Sequence, residues 1–99
     1  MTRVIYSPEA EAELVEIAEY IARRSEHYAE AYVVRLRKKA ADVSRRPRAC
    51  RRRDDLAPGL RSAILGNHLI IFRIVAEGIE VARVVHSARN LKSLFDVKP

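Results

Sequence analysis

Ninety-nine residues, 48% hydrophobic and 32% charged, suffice for one two-layer core and not for two, so a single domain spanning 1–99 is expected. The longest strongly apolar run, Leu69-Ile70-Ile71-Phe72, stops at Arg73, which excludes a membrane-spanning helix there; no apolar stretch of signal-peptide length precedes Pro8. The lone Cys50 excludes an internal disulfide and makes a reducing cytoplasm the expected compartment. The formal charge of +6 is divided unevenly: residues 1–34 hold three Lys/Arg against seven Asp/Glu, and residues 35–99 hold sixteen against six. The positive field of the second part suits nucleic acid, an acidic protein or an anionic surface, and equally a basic soluble protein with no polyanion partner.

Arg3-Val4-Ile5-Tyr6 favours a strand. Ser7-Pro8-Glu9 ends it with a helix start: the serine can cap, proline suits the first helical position, and Glu9 and Glu11 lie at the positive end of the dipole. Leu14, Ile17, Ala18 and Ile21 then recur at helical spacing, which leaves Glu13, Glu16 and Glu19 for the outer face. After Ser25-Glu26-His27-Tyr28 a second helical pattern runs through Ala29, Tyr32, Val33, Leu36, Ala40 and Val43. The short connection predicts an antiparallel hairpin laid on one face of a sheet, with Tyr20, Tyr28 and Tyr32 used in packing.

Six arginines occupy the nine positions from Arg45 to Arg53, around Pro47 and Cys50, with no helical or strand period. The segment is expected to be a mobile basic loop, and a phosphate-contacting arm and a solvated charged loop both fit it. Three β-rich runs follow, Arg61 to Leu65, His68 to Val75 and Ile79 to His86, with turns at Gly66-Asn67 and Glu77-Gly78. Alternation gives Ile70, Phe72 and Ile74 to the helices and Leu69, Ile71, Arg73 and Val75 to an open face, with Arg83 placed beside Arg73. The fold class is therefore α+β: a strand, a helical hairpin, a three-stranded antiparallel meander, and room for a short C-terminal helix.

The three glycines form no phosphate-cradling loop, and no Cys/His set has zinc spacing, so neither a cofactor nor a metal is expected. Metal-free RNA cleavage remains open, because Arg61, His68, Arg73, Arg83, His86 and Arg89 can supply proton transfer and phosphorane stabilisation. A histidine at a strand end is also an ordinary structural residue.

The order of these elements resembles the RelE/ParE superfamily of type II toxins. The residues that carry the likeness are Ser7-Pro8-Glu9-Ala10 with Leu14, Ile17 and Tyr20-Ile21, then Pro47, Leu56, Gly59-Leu60-Arg61, Gly66 through Phe72-Arg73-Ile74, and Val84-Val85-His86 with Arg89. The context of Gly59-Leu60-Arg61 and Val85-His86 is similar to the ParE-like branch. That branch implies interference with DNA gyrase, and the RelE-like branch implies mRNA cleavage in the ribosomal A site by basic residues and a C-terminal tyrosine. On the second reading the catalytic candidates are Arg61, His68 and Arg89; His68 stands where that branch has an arginine, and Phe95 stands at the tyrosine position without a hydroxyl. On the first, Arg61, His86, Arg89 and Phe95 are candidate target contacts. A third reading is a non-toxic member that only forms complexes. The resemblance also implies a ParD-like antitoxin in a hetero-oligomer, with operator DNA bound only through the antitoxin. Leu69, Ile71, Arg73 and Arg83 are its candidate contacts, supplemented by the grooves beside the hairpin.

Overall fold

In the computed structural model, which describes residues 2–95, strand β1 (Arg3–Tyr6) leads into helices α1 (Pro8–Ala22) and α2 (Glu26–Arg45). A 3₁₀ turn at Pro47–Ala49 and strand β2 (Arg51–Arg52) follow, then β3 (Leu60–Leu65), β4 (His68–Val75), β5 (Gly78–His86) and a short helix α3 (Lys92–Phe95). The strands form one sheet in the order β1-β5-β4-β3-β2, with β1 parallel to β5 and the other pairs antiparallel. The α+β architecture and the short C-terminal helix match the expectation. The basic segment does not: part of it pairs as β2, a fifth strand, with Arg51 opposite Ser62 and Arg52 opposite Arg61.

Local chemistry sets the helix ends. Ser7 caps α1 by accepting from the Ala10 N–H at 3.0 Å, and the same hydroxyl donates to the Ala82 carbonyl at 2.7 Å, which ties the start of the helix to β5. Ser25 caps α2 through the Tyr28 N–H. Leu14 of α1 and Tyr32, Leu36, Ala40 and Val43 of α2 meet Ile70, Phe72, Ile79, Val81 and Val84 of the sheet in the main core. Phe72 is fully buried, and burial of such a side chain contributes ~1.5–3 kcal/mol. At the β4–β5 turn, a Cβ on Gly78 would stand 2.0 Å from the Arg3 carbonyl oxygen; only glycine lets β1 approach this closely.

The other face of the sheet is covered rather than open. Leu56, Leu60, Ile71 and Val85 form a second buried cluster beneath Ala57, Leu91, Leu94 and Phe95. This corrects the expected placement of Ile71, which has no exposed surface. Leu56 and Leu91 lie outside any sheet period, so alternation within β4 gave no sign that flanking segments fold back over it.

Arg83 does not stand directly across from Arg73, whose partner is Glu80. A β-bulge interrupts the β4–β5 register: Ile71 faces Arg83 and Phe72 faces Val81, so Ala82 is the extra residue. Since β1 ends at Tyr6 opposite Val81, β5 runs on with a free edge, and Glu13 of α1 fills it. Glu13 Oε2 accepts from Arg83 Nε at 3.0 Å and Nη2 at 2.7 Å, and Oε1 accepts from the buried Val84 N–H at 2.8 Å. Glu13, expected on the outer face, is therefore buried. Arg73 stays exposed on the second face, 3.5 Å from Glu80.

Candidate functional site

The described structure has an open cleft of about 660 Å³ between the helical hairpin and the ends of β4 and β5. Its apolar floor comes from Ile17 and Ile21 of α1 and Val84 of β5. One wall is a run of rings with centroids 6.2 Å apart for Tyr28 and Tyr32, 5.4 Å for Tyr32 and His68, and 5.6 Å for His68 and His86. Arg35 from α2 and Arg89 from beyond β5 supply positive charge at the rim; among the described residues neither is ion-paired to a carboxylate.

The ring wall is held by short-range geometry. The two-residue turn at Gly66-Asn67 sets the start of β4 so that His68 Nδ1 meets the Tyr32 hydroxyl at 2.6 Å, and the same hydroxyl lies 3.3 Å from the Leu65 carbonyl. Gly66 has φ +55°, and a Cβ there would come within 2.9 Å of that hydroxyl, so both backbone and space select glycine. Burial, then the neighbouring His86, holds the His68 imidazole below its ordinary pKa, while burial, aided by Tyr28, pushes the Tyr32 phenol up. His68 and Tyr32 thus meet as a neutral pair near pH 7. His86 is exposed, and its Nδ1 accepts from the Ala88 N–H at 3.1 Å, which leaves Nε2 for solvent or a partner.

The cleft gathers His68, His86 and Arg89 but not the rest of the expected set. Arg61 faces Phe72, four rungs along the ladder from His68, roughly 13 Å at strand spacing. Its Nη1 donates to the carbonyls of Cys50 at 2.9 Å and Arg48 at 3.3 Å, so it braces the segment before β2. Phe95 packs on the opposite face of the sheet. Of the expected antitoxin contacts, Leu69 and Arg73 keep accessible surface, Ile71 is buried and Arg83 is engaged by Glu13.

Tyr20 and Tyr28, assigned to packing from their spacing, are instead 71% and 55% exposed and line the cleft; Tyr32 alone of the three is buried. Arg35, Asn67 and the floor residues were missed as site residues. The available signal was the pair of tyrosines on either side of the helix connection, where a short loop leaves side chains without a facing element.

Among the described residues no group of three His, Cys, Asp or Glu side chains is placed to hold a metal ion, and no helix is long and apolar enough to cross a membrane.

Comparisons with known proteins agree with this architecture. The profile of the family described as "ParE toxin of type II toxin-antitoxin system, parDE" matches residues 4–91. The chain is similar to Toxin ParE1 of Mycobacterium tuberculosis, in strains CDC 1551 / Oshkosh and ATCC 25618 / H37Rv, at 34% identity over 92 residues, covering 91% of this chain and 94% of each relative. A solved chain described as "Chromosomal ParDE TA system from P. aeruginosa" has the same fold, with TM-score 0.73 at 19% identity over 87% of this chain and 96% of that one. The chain belongs to the ParE toxin family of type II toxin-antitoxin systems.

Proposed function

We propose that this toxin arrests growth by interfering with DNA gyrase and is neutralised by a ParD-like antitoxin whose acidic, amphipathic segment lies in the cleft beside the hairpin. The observation that carries the choice of target is that two positions the RNA-cleaving reading relies on, Arg61 and Phe95, lie away from the cleft that holds His68 and Arg89. Arg61 is committed to backbone carbonyls, His68 is bonded to Tyr32, and Phe95 lacks a hydroxyl and lies on the other face of the sheet. Metal-free cleavage needs a base and an acid on opposite sides of one phosphate, about 3 Å from the atoms they serve. The absence of a third, non-toxic role is an outcome of the same test rather than a premise.

The antitoxin placement is supported mainly by the cleft's apolar floor, which suits a helix presenting spaced apolar side chains, with Arg35 and Arg89 placed to meet its carboxylates on the side of the cleft away from Glu16 of α1. Leu69 and Arg73 on the far face form a second contact for a segment that wraps the molecule. Operator DNA would be bound through the antitoxin in the hetero-oligomer.

The expected result on inducing the toxin without its antitoxin is growth arrest with reporter plasmid shifting toward relaxed topoisomers on chloroquine gels, while primer extension finds mRNA uncut. Codon-phased cuts that disappear in Arg89→Ala would establish the ribonuclease reading instead. Unimpeded growth would leave complex formation as the role.

A further inference from the structure

The arginine-rich segment takes no part in the cleft, yet it is built rather than loose. Helix α2 extends to Arg45, Pro47–Ala49 make a 3₁₀ turn, and Arg51–Arg52 pair with β3. Arg61 holds this turn from beneath through two carbonyls, Cys50 packs against the main core, and the Arg53 N–H donates to the Leu60 carbonyl at 2.7 Å. Arg52 and Arg53 carry their own acids, Asp54 and Asp55. Arg45, Arg46, Arg48 and Arg51 are exposed, and among the described residues none lies within ion-pair distance of a carboxylate. Residues 38–53 hold eight cations against one carboxylate, Asp42.

Like charges fixed on an ordered edge cannot spread apart as they can on a mobile loop, so a polyanion gains more by neutralising them and loses less entropy in ordering them. The composition of the edge narrows the polyanion. Protein interfaces are anchored by buried aromatic or aliphatic side chains, and single strands by aromatic rings on which bases stack. No Phe, Tyr or Trp occurs between Tyr32 and Phe72, and the apolar residues between these arginines in sequence are Pro47, Ala49 and the inward-packed Cys50. Cations without stacking groups fit a double-helical phosphate backbone, which is bound by charge and without sequence.

We propose that the edge formed by Arg45, Arg46, Arg48 and Arg51 binds the phosphate backbone of duplex DNA, so that the toxin grips the DNA on which its target works. The role at the target rests on the gyrase reading; the DNA contact itself is measured without gyrase. Fluorescence anisotropy of the purified toxin with a labelled duplex of arbitrary sequence, from about 50 to 200 mM salt, should give a log–log salt slope of about −3 to −4 for four neutralised phosphates. The triple variant Arg46→Ala, Arg48→Ala, Arg51→Ala should lower the slope to about −1 and weaken binding at least tenfold at about 100 mM salt. The triple Arg→Lys variant at the same positions should retain the slope, which separates lost charge from lost folding. Removing equal charge elsewhere, with Arg3→Ala, Arg23→Ala and Arg24→Ala, should leave binding near wild type.

The proposal fails if the edge variant binds as wild type, if the control triple weakens binding equally, or if duplex RNA binds and duplex DNA does not. It also fails if the edge variant keeps DNA and loses only the antitoxin. If the salt slopes come out as expected while wild-type toxin leaves supercoiling unchanged, the DNA contact stands and the gyrase reading falls.

Discussion

Glu13→Ala should destabilise the toxin by about 3 kcal/mol or more, lowering Tm by roughly 12–24 °C for a domain of this size. One carboxylate serves two needs at the free edge of β5: Oε2 accepts both Arg83 bonds and Oε1 accepts the Val84 N–H. The side chains of Glu13 and Arg83 are 11% and 20% exposed, so deletion of the acid leaves a largely buried guanidinium and a buried amide without partners. The same bonds hold the Arg83 guanidinium more firmly protonated than usual. Glu13→Gln preserves shape and can still accept from Val84, so it should cost less than alanine. Replacing both partners, as in Glu13→Leu with Arg83→Met, removes the orphaned charge but not the orphaned amide, and should recover part of the loss. Chemical denaturation of Glu13→Leu, Arg83→Met and the double gives the coupling directly. A Glu13→Ala protein as stable as wild type would show that the edge is satisfied in another way.

Reversing the two cleft cations, Arg35→Glu with Arg89→Glu, should weaken binding of the cognate antitoxin by about 100-fold, equivalent to ~2.7 kcal/mol. Both side chains line the cleft and neither bonds to another element among the described residues, so the fold should survive; unchanged thermal unfolding checks this. Charges at an interface rim act first on association rate and its salt dependence. The affinity gap should therefore narrow at high salt, mainly through association rate in biosensor traces. Leu69→Glu with Arg73→Glu, on the other face of the sheet, should cost less. If the order of the two effects is reversed, the principal antitoxin surface is that far face and not the cleft.

Much of the architecture was legible because it is written in short-range terms. Ser7-Pro8 marks a helix start through capping and fixed φ, and Gly66-Asn67 marks a two-residue turn, so both appeared where expected. The β4–β5 turn was placed one residue late: Val75 faces Gly78, making Ala76 and Glu77 the loop. What misled was strict alternation. The bulge at Ala82 breaks the period at the strand whose assignment mattered most, and the early end of β1 gives Arg83 and Glu13 a reason to meet that neither residue's own helix or strand pattern contains. Ile71 was misread for a related reason: its own strand cannot show that Leu56 and Leu91 cover it.

The candidate site was legible in residue type more than in place. His68, His86 and Arg89 do meet in the cleft, but Arg61 and Phe95 are separated from them by the register and by the thickness of the sheet. Tyr20 and Tyr28 satisfy helical spacing as well as core residues would, yet they stand on either side of the helix connection and stay exposed along the cleft. The basic segment was read as a loop without regular structure because what shapes it, pairing with β3 and the Arg61 bonds to its carbonyls, comes from residues outside its own sequence pattern.

The most direct test of gyrase interference is a supercoiling assay with purified gyrase, relaxed plasmid, ATP and increasing toxin, with and without the cognate antitoxin. Gyrase interference predicts dose-dependent loss of supercoiled product or accumulation of cleaved plasmid, reversed by stoichiometric antitoxin. Full supercoiling at saturating toxin, from a preparation that still arrests growth when expressed, would contradict it.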